Sequence, residues 1–293
     1  MKKIIGFGEL LWDCLPTGRQ IGGAPGNFAF HATQCGHDVV MVSAVGKDAS
    51  GDELLARAEA QGLKCVCARV DRPTGWVDVR LDDEGVPQYV IHKEVAWDYI
   101  PFTPRLERIA SEADALCFGS LAQRSRETRV TLKHFLNFMR PEALKVFDIN
   151  LRQNFYSKES IAESLRGANI LKFNNEEIVT VCKMFGYEDS DFRKICLQLI
   201  KDFDLMLVVL TCGAEGSYVF SPEGTSFKDT PAVEVVDTVG AGDSFTAGFV
   251  ASYMQGKPVE TCHQLAVELS AYVCTQKGAM PILPEKIKVK LRI

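Results

Sequence analysis

Short, continuous apolar runs recur along this chain, separated by segments whose apolar positions repeat with helical spacing. The run Leu205-Met-Leu-Val-Val-Leu210 is one of them. It shows no apolar–polar alternation, so a strand here must be covered on both faces, as in a parallel sheet between helix layers. Such strands are expected at Lys3–Phe7, Asp38–Ala44, Ala115–Gly119, Lys145–Ile149, Ile170–Phe173, Met206–Thr211 and Ser217–Phe220. Helices are expected at Pro25–Cys35, Gly51–Gln61, Arg126–Met139, Asn175–Met184, Asp191–Asp202, Ala241–Gln255 and Val259–Gln276. Within one of them, Leu132, Phe135, Leu136 and Met139 follow the i, i+3, i+4, i+7 rule. This alternation predicts a layered α/β/α domain with a mainly parallel central sheet. Ligands of such sheets bind beyond the C-terminal strand ends. The chain has 293 residues, 46% of them hydrophobic, which is enough for one large domain spanning residues 1–293. It holds no internal repeat and no low-complexity linker.

One region breaks the rhythm. Between Thr74 and His92, Val77, Val79 and Leu81 alternate with polar residues, Asp83-Glu84-Gly85 reads as a turn, and Tyr89 and Ile91 resume beyond it. That pattern is an amphipathic antiparallel hairpin. With Leu10–Leu15 it is expected to form a small antiparallel sheet, giving lid segments at about residues 10–20 and 73–100. It is either an ordinary edge hairpin or a lid that covers a substrate of sugar size and excludes water.

The stretch with the most chemistry is Asp237-Thr-Val-Gly-Ala-Gly-Asp243, continuing to Phe249. It follows a strand-like run, Ala232–Val236, and opens a helix whose apolar face is Phe245, Phe249, Val250, Tyr253 and Met254. A Gly-Ala-Gly turn feeding a helix leaves backbone N–H groups unpaired at the positive end of the helix dipole, which makes an anion site. Asp243 falls in the first helical turn beside it. An isolated Gly-x-Gly-Asp is more often an N-terminal stabiliser. Here Gly240 and Gly242 flank one small residue, so backbone can approach a ligand closely. A second acid, Asp237, lies just upstream. An anion hole with a poised base suits transfer of a phosphoryl group to a hydroxyl.

Near the other end, Gly22-Gly-Ala-Pro-Gly-Asn27 leads into a helix, and Asn27 offers a donor and an acceptor to paired hydroxyls. Taken alone, it is a Gly-rich turn with an Asn cap. Asp13, between Trp12 and Cys14, is either a surface strand residue or a carboxylate suited to a vicinal diol. The net charge is −5. No basic cluster calls for nucleic acid or an anionic membrane, and the spaced tail Lys286, Lys288, Lys290 and Arg292 reads as a solvated terminal strand or chain end. The ten cysteines form no zinc-type cluster. Cys117, Cys196 and Cys274 sit in apolar stretches, as small buried hydrophobes of a reducing compartment do. No signal peptide or membrane-length run is read, so a cytoplasmic location is expected.

Together these motifs resemble the ribokinase-like, or PfkB, carbohydrate kinase family. The resemblance spans essentially the whole chain through Gly22–Asn27, Asn174-Asn-Glu-Glu177 and Asp237–Asp243. It is nearest to bacterial fructokinases, through Gly8-Glu-Leu-Leu-Trp-Asp13, Gly22–Ala29, Pro73-Thr-Gly75, Trp97-Asp98 and Phe147-Asp-Ile-Asn-Leu-Arg152. The resemblance implies an ATP-dependent sugar kinase with Asp243 as general base and the amides of Ala241, Gly242 and Asp243, after Gly240, as anion hole. It implies that Asp13, Gly23, Asn27 and Gln123 hold the sugar. Arg152, Asn174, Glu177, Thr211, Gly213, Gly216 and Gly278 would serve the nucleotide. Glu177 would bind Mg²⁺ through water, and Asp237 would serve a monovalent cation, K⁺. A homodimer through the β lid is also implied.

The chain departs from the family pattern at Val267, where many members carry an Asn near the nucleotide base, and at Gly26, where Ala is common. The first departure leaves adenine to backbone and apolar contacts. D-fructose is the expected acceptor, with ribose, a nucleoside or 2-keto-3-deoxygluconate as alternatives. A sugar phosphate would require clustered cations near the sugar motif, where only Arg19 stands. A dinucleotide-binding oxidoreductase lacks its third glycine after Gly6-Phe-Gly8. A non-catalytic sugar sensor is disfavoured by the intact Asp243.

Overall fold

The computed structural model describes residues 2–81 and 87–292. Its strands are β1 (Lys3–Phe7), β2 (Leu11–Leu15), β3 (Gly18–Gly22), β4 (Asp38–Gly46), β5 (Cys65–Val70), β6 (Trp76–Leu81), β7 (Pro87–Ile91), β8 (Ala115–Phe118), β9 (Leu144–Asp148), β10 (Ile170–Asn174), β11 (Leu207–Thr211), β12 (Ser217–Ser221) and β13 (Gly224–Lys228). Its α-helices are α1 (Ala24–Gln34), α2 (Ala49–Ala60), α3 (Pro104–Glu112), α4 (Arg126–Phe138), α5 (Lys158–Gly167), α6 (Asn175–Phe185), α7 (Phe192–Phe203), α8 (Ala241–Met254), α9 (Val259–Cys274) and α10 (Glu285–Leu291).

Nine strands form the central sheet in the order β13-β12-β11-β10-β9-β8-β1-β4-β5. All neighbours are parallel except β11–β12 and β12–β13. The two faces carry different cores. Ile5, Phe7, Leu116, Phe118, Phe147, Leu171, Phe173 and Val208 pack with residues of α3 to α7. Ile4, Met41, Cys117, Val146, Ile170 and Val209 pack with α1, α2, α8 and α9. Apolar residues therefore face both layers, which explains the continuous apolar runs of the sequence. The chain places β4 and β5 on one side of β1 and β8 to β13 on the other. The crevice at the C-terminal ends of β1 and β8 is thus the topological switch point, where an open α/β sheet receives its ligand.

The expected small sheet exists, in the order β3-β2-β6-β7. Its two hairpins are antiparallel, but β2 and β6 join in parallel, with Asp13 opposite Val77. The turn Asp83-Glu84-Gly85 lies outside the described residues.

Three expectations are corrected. Ala232–Val236 is not a strand: it is exposed, although Val236 N donates to Cys274 O, because no neighbouring strand pairs with it. The basic tail is neither a strand nor a free end. It is α10, which buries Leu291 while Lys290 reaches Glu268. Cys274 is only partly buried, and all ten cysteines are free thiols. Of the helix stripe, Leu132, Phe135 and Met139 are buried and Leu136 packs against them from a half-buried position. Among the described residues no helix is long and apolar enough to cross a membrane.

Candidate active site

The Gly-Ala-Gly turn folds into the start of α8. Gly240 is its N-cap, with a left-handed φ of 78°. A Cβ there would lie 2.8 Å from Ala279 Cα, Cβ and O, so the turn is pressed against the loop after α9. Asp237 ties the two loops together. One carboxylate oxygen accepts from Val239 N (3.0 Å) and the other from Gly278 N (3.0 Å). His31 adds a third tie through Nε2 to Ala279 O (2.8 Å). The amide of Ala241 donates to Thr238 O, and Ser244 N closes the first intrahelical bond to Gly240 O. The first-turn amides of Gly242 and Asp243 have no such acceptor in the turn and are left to meet an anion. The expected set of three amides reduces to two because the turn itself consumes the Ala241 N–H.

The two motifs separated by most of the chain meet here. Asn27 Nδ2 donates to Asp243 Oδ2 at 2.8 Å, and the buried Asn27 Oδ1 has no protein partner. Gly23 permits this approach. Its φ is 106°, and a Cβ would lie 2.3 Å from Glu9 O. Asp13 comes in from β2 and lies across Gly22, where a Cβ would fall 2.0 Å from Asp13 Oδ2. Burial pushes the Asp243 carboxyl up to about 6. The nearby Asp148 charge adds to that shift, while Asn27, Lys172 and Arg152 oppose it. Burial, with help from Asp243, likewise lifts Asp13 to about 6.

Glu9 completes this cluster; in the sequence it stands only within the motif Gly8-Glu-Leu-Leu-Trp-Asp13, with no role assigned. It follows β1 at the switch point, is 2% exposed, and its Oε2 has no hydrogen-bond partner. Burial pushes it up to about 7, reinforced by Asp243 and opposed by its own backbone amide, Arg152 and Arg124. A carboxyl that binds its proton more tightly when folded favours folding below its unfolded value and loses that contribution as pH rises through about 7. Glu9→Gln is therefore expected to raise the melting temperature at pH 8 and leave it nearly unchanged at pH 4.5. The upper bound from linkage is about 3 kcal/mol. Equal melting shifts at both pH values would show that the buried charge is not the cause.

The remaining expected residues separate into groups. Arg152 is exposed on a loop held by left-handed Asn150 and Gln153, and Gln153 Nε2 donates to Tyr89 O of the small sheet. Gln123 presents no free amide, because Nε2 donates to Gly119 O and Ser164 Oγ while Oε1 accepts from Ser164 Oγ. Asn174 and Glu177 form a capping box at the start of α6. Glu177 Oε2 accepts from Asn174 N and Oε1 from Leu151 N, each at under 3 Å. Thr211 ends β11, and Gly213 and Gly216 take positive φ in the following loop. Gly278, with φ 74°, meets Gln20 of β3: a Cβ would lie 2.7 Å from Gln20 Oε1. The small sheet thus touches both loops that frame the site. Val267 is buried in the core beside α8. Arg19 is taken by Glu53 and stacks over Trp12.

No group of three or more His, Cys, Asp or Glu able to hold a metal occurs among the described residues. One carboxylate, Glu177, already accepting backbone hydrogen bonds, fits a hard cation that keeps its waters and is held mainly by nucleotide phosphates. Beneath the α8 turn lies an element the sequence reading missed: Lys172 Nζ pairs with Asp148 Oδ1 at 2.9 Å, and Thr246 Oγ1 donates to Asp148 Oδ2 at 2.8 Å. The available signal was a lysine inside the apolar strand Ile-Leu-Lys-Phe.

Residues 3–286 match the family described as pfkB family carbohydrate kinase. An ATP-dependent 6-phosphofructokinase of Thermoanaerobacterium thermosaccharolyticum is 25% identical, over 98% of this chain and 92% of the relative. A fructokinase of Salmonella typhimurium is 28% identical, over 96% of each. A crystal structure of fructokinase with bound ATP from Xylella fastidiosa superposes with a TM-score of 0.83 at 21% identity, over 99% of this chain and 97% of that one.

Proposed function

This chain belongs to the pfkB family of carbohydrate kinases, and we propose that it transfers the γ-phosphoryl group of ATP to a hydroxyl of free D-fructose. The observation that carries the reading is the 2.8 Å hydrogen bond from Asn27 to Asp243, which puts a hydroxyl-binding amide against a base of raised pKa at the head of an anion hole. Asp13 and Asn27 orient the sugar. Asp243 takes the proton from its hydroxyl as that oxygen bonds to the γ-phosphorus. The bond from phosphorus to the β–γ bridging oxygen breaks, and ADP leaves. The amides of Gly242 and Asp243 donate to the phosphoryl oxygens as their charge shifts. Thr211, Gly213, Gly216, Gly278 and Arg152 line the nucleotide side. Glu177 would hold Mg²⁺ through water, and the ion would supply charge neutralisation when bound with the nucleotide. The small sheet excludes water, which would otherwise accept the phosphoryl group.

Charge supports a neutral acceptor. Glu9, Asp13 and Asp243 cluster at the acceptor side, and Arg152 is the one cation that acts on all three, with Arg124 near Glu9 and Lys172 near Asp243 already held by Asp98 and Asp148. A second anion on the substrate would meet repulsion there, which disfavours fructose 6-phosphate and the carboxylate of 2-keto-3-deoxygluconate. The test is ADP release with ATP and Mg²⁺, with and without K⁺, against fructose, ribose, adenosine, 2-keto-3-deoxygluconate and fructose 6-phosphate. A preference for fructose supports the assignment, and a preference for any other acceptor replaces it. A requirement for K⁺ would assign the Asp237–Gly278 corner to a monovalent cation. Asp13→Ala is expected to raise the KM for sugar by about 10–100-fold, from the loss of a charged hydrogen-bond partner, with the KM for ATP little changed. An unchanged sugar KM would remove Asp13 from the pocket.

The small sheet also suggests assembly. On its edge strand β7, Tyr89 and Val90 are 50% and 42% exposed. We assign this edge to a homodimer contact, to be read by light scattering of the wild type against Val90→Lys. The free cysteines suit a cytoplasmic enzyme.

A further inference from the structure

On the face of β9 and β10 toward α8 and α9, the strands begin apolar and turn polar at their C-terminal ends. Val146 and Ile170 lie in that core, and the next residues on the same face are Asp148 and Lys172. Both are buried, at 5% and 8% exposure, and they pair at 2.9 Å. This pair closes the C-terminal end of the sheet directly under the first turn of α8. Thr246 of α8 binds the other oxygen of Asp148. The ammonium faces the turn itself: a Cβ on Gly242 would stand 2.9 Å from Lys172 Nζ.

We propose that Lys172, oriented by Asp148, is a fixed cation beneath the Gly240–Asp243 turn that strengthens the anion hole for the transferring phosphoryl group. The inference deepens the kinase reading and rests on it. An ion pair buried only for stability is replaceable by a neutral pair of similar volume, often without loss. Here the pair is oriented, with the ammonium toward Gly242 and the carboxylate toward Thr246. Gly242 then has a second reason to lack a side chain, since the cation fills the space beneath it. A fixed charge in a water-poor setting acts on charge that develops during transfer, with no reorganisation during the step. It does not touch the sugar, so its loss should appear in kcat rather than in sugar KM.

The experiment compares the wild type with Lys172→Met and with the double variant Asp148→Asn/Lys172→Met. The double variant removes both charges and so avoids an unpaired buried carboxylate. Two quantities are read: steady-state constants, and the affinities for Mg·ADP with and without aluminium fluoride, which mimics the phosphoryl group in flight. The expected result is a loss of kcat of about 100-fold in both variants, with sugar KM within about threefold. The aluminium fluoride complex should weaken by a similar factor while Mg·ADP affinity holds. If the double variant recovers kcat to near the wild-type value, the pair is structural and the proposal is wrong. Equal weakening of the ADP and aluminium fluoride complexes also overturns it. The fluoride complex forms without a sugar, so this readout stands even if the fructose assignment fails. Wild-type turnover on the acceptor panel tests that assignment separately.

Discussion

Asp243→Asn is expected to lower kcat by about 10³–10⁴-fold, the upper range for loss of a general base, while fructose still binds. The amide is close to isosteric, and its oxygen can still accept from Asn27 Nδ2, so the contact that joins α1 to α8 survives. What disappears is the ability to take a proton. The wild type carries a matching pH signature. Burial and Asp148 raise the Asp243 carboxyl to about 6, and only its ionised form accepts the proton. At saturating fructose, where the Asp13 contribution to sugar binding drops out, kcat should therefore fall about tenfold per pH unit below about 6 and level off above it. The variant should show no such limb. Titration calorimetry with fructose checks the binding half of the expectation. Turnover of Asp243→Asn near the wild-type rate would assign the proton to another group, and Glu9 would be the next to test.

Gly240→Ala is expected to lower kcat by at least 100-fold and to destabilise the fold by about 1–3 kcal/mol, the cost of holding a non-glycine residue in a strained backbone region. The added methyl would meet Ala279 backbone at 2.8 Å, so the turn must also move away from the loop it is tied to by Asp237. A displacement of this size at an anion hole acts on the reaction much more than on binding. Gly186→Ala is the matched control. Gly186 has the same φ of 78° at the end of α6, but its Cβ position meets nothing within 4 Å. That variant should lose stability by about 1 kcal/mol and keep kcat. If both variants keep kcat and differ only in melting temperature, the Gly240 turn is not where the phosphoryl charge sits.

Much of the architecture is legible because its causes are local. The parallel sheet follows from apolar runs without alternation, and the first turn of α8 from Gly240 and Gly242. The small sheet follows from period-two patterning around Val77 and Ile91. Where local cause is weak, the reading fails. Ala232–Val236 has the composition of a strand, yet no edge stands beside it, so it stays exposed. The basic tail alternates like a strand, but Leu291 finds a core against α8 and α9 only when coiled as a helix. Strand β5, with Cys65, Cys67 and Arg69, shows no clear period and is defined by its partner β4.

The site divides along the same line. Sequence alone determined the parts whose chemistry needs only neighbours in the chain: the left-handed glycine at 240, the carboxylate in the first turn at 243, the capping box of Asn174 and Glu177. Tertiary structure decided everything that depends on distance across the fold. It brings Asn27 to Asp243 over a separation of 216 residues. It closes the Gln123 amide onto Ser164 and consumes the Ala241 N–H within the turn. It also buries Glu9, Asp148 and Lys172, all within range of the Asp243 charge. The physical reason is that hydrogen-bonding capacity and backbone preference belong to residues, whereas desolvation and charge proximity belong to the assembled chain.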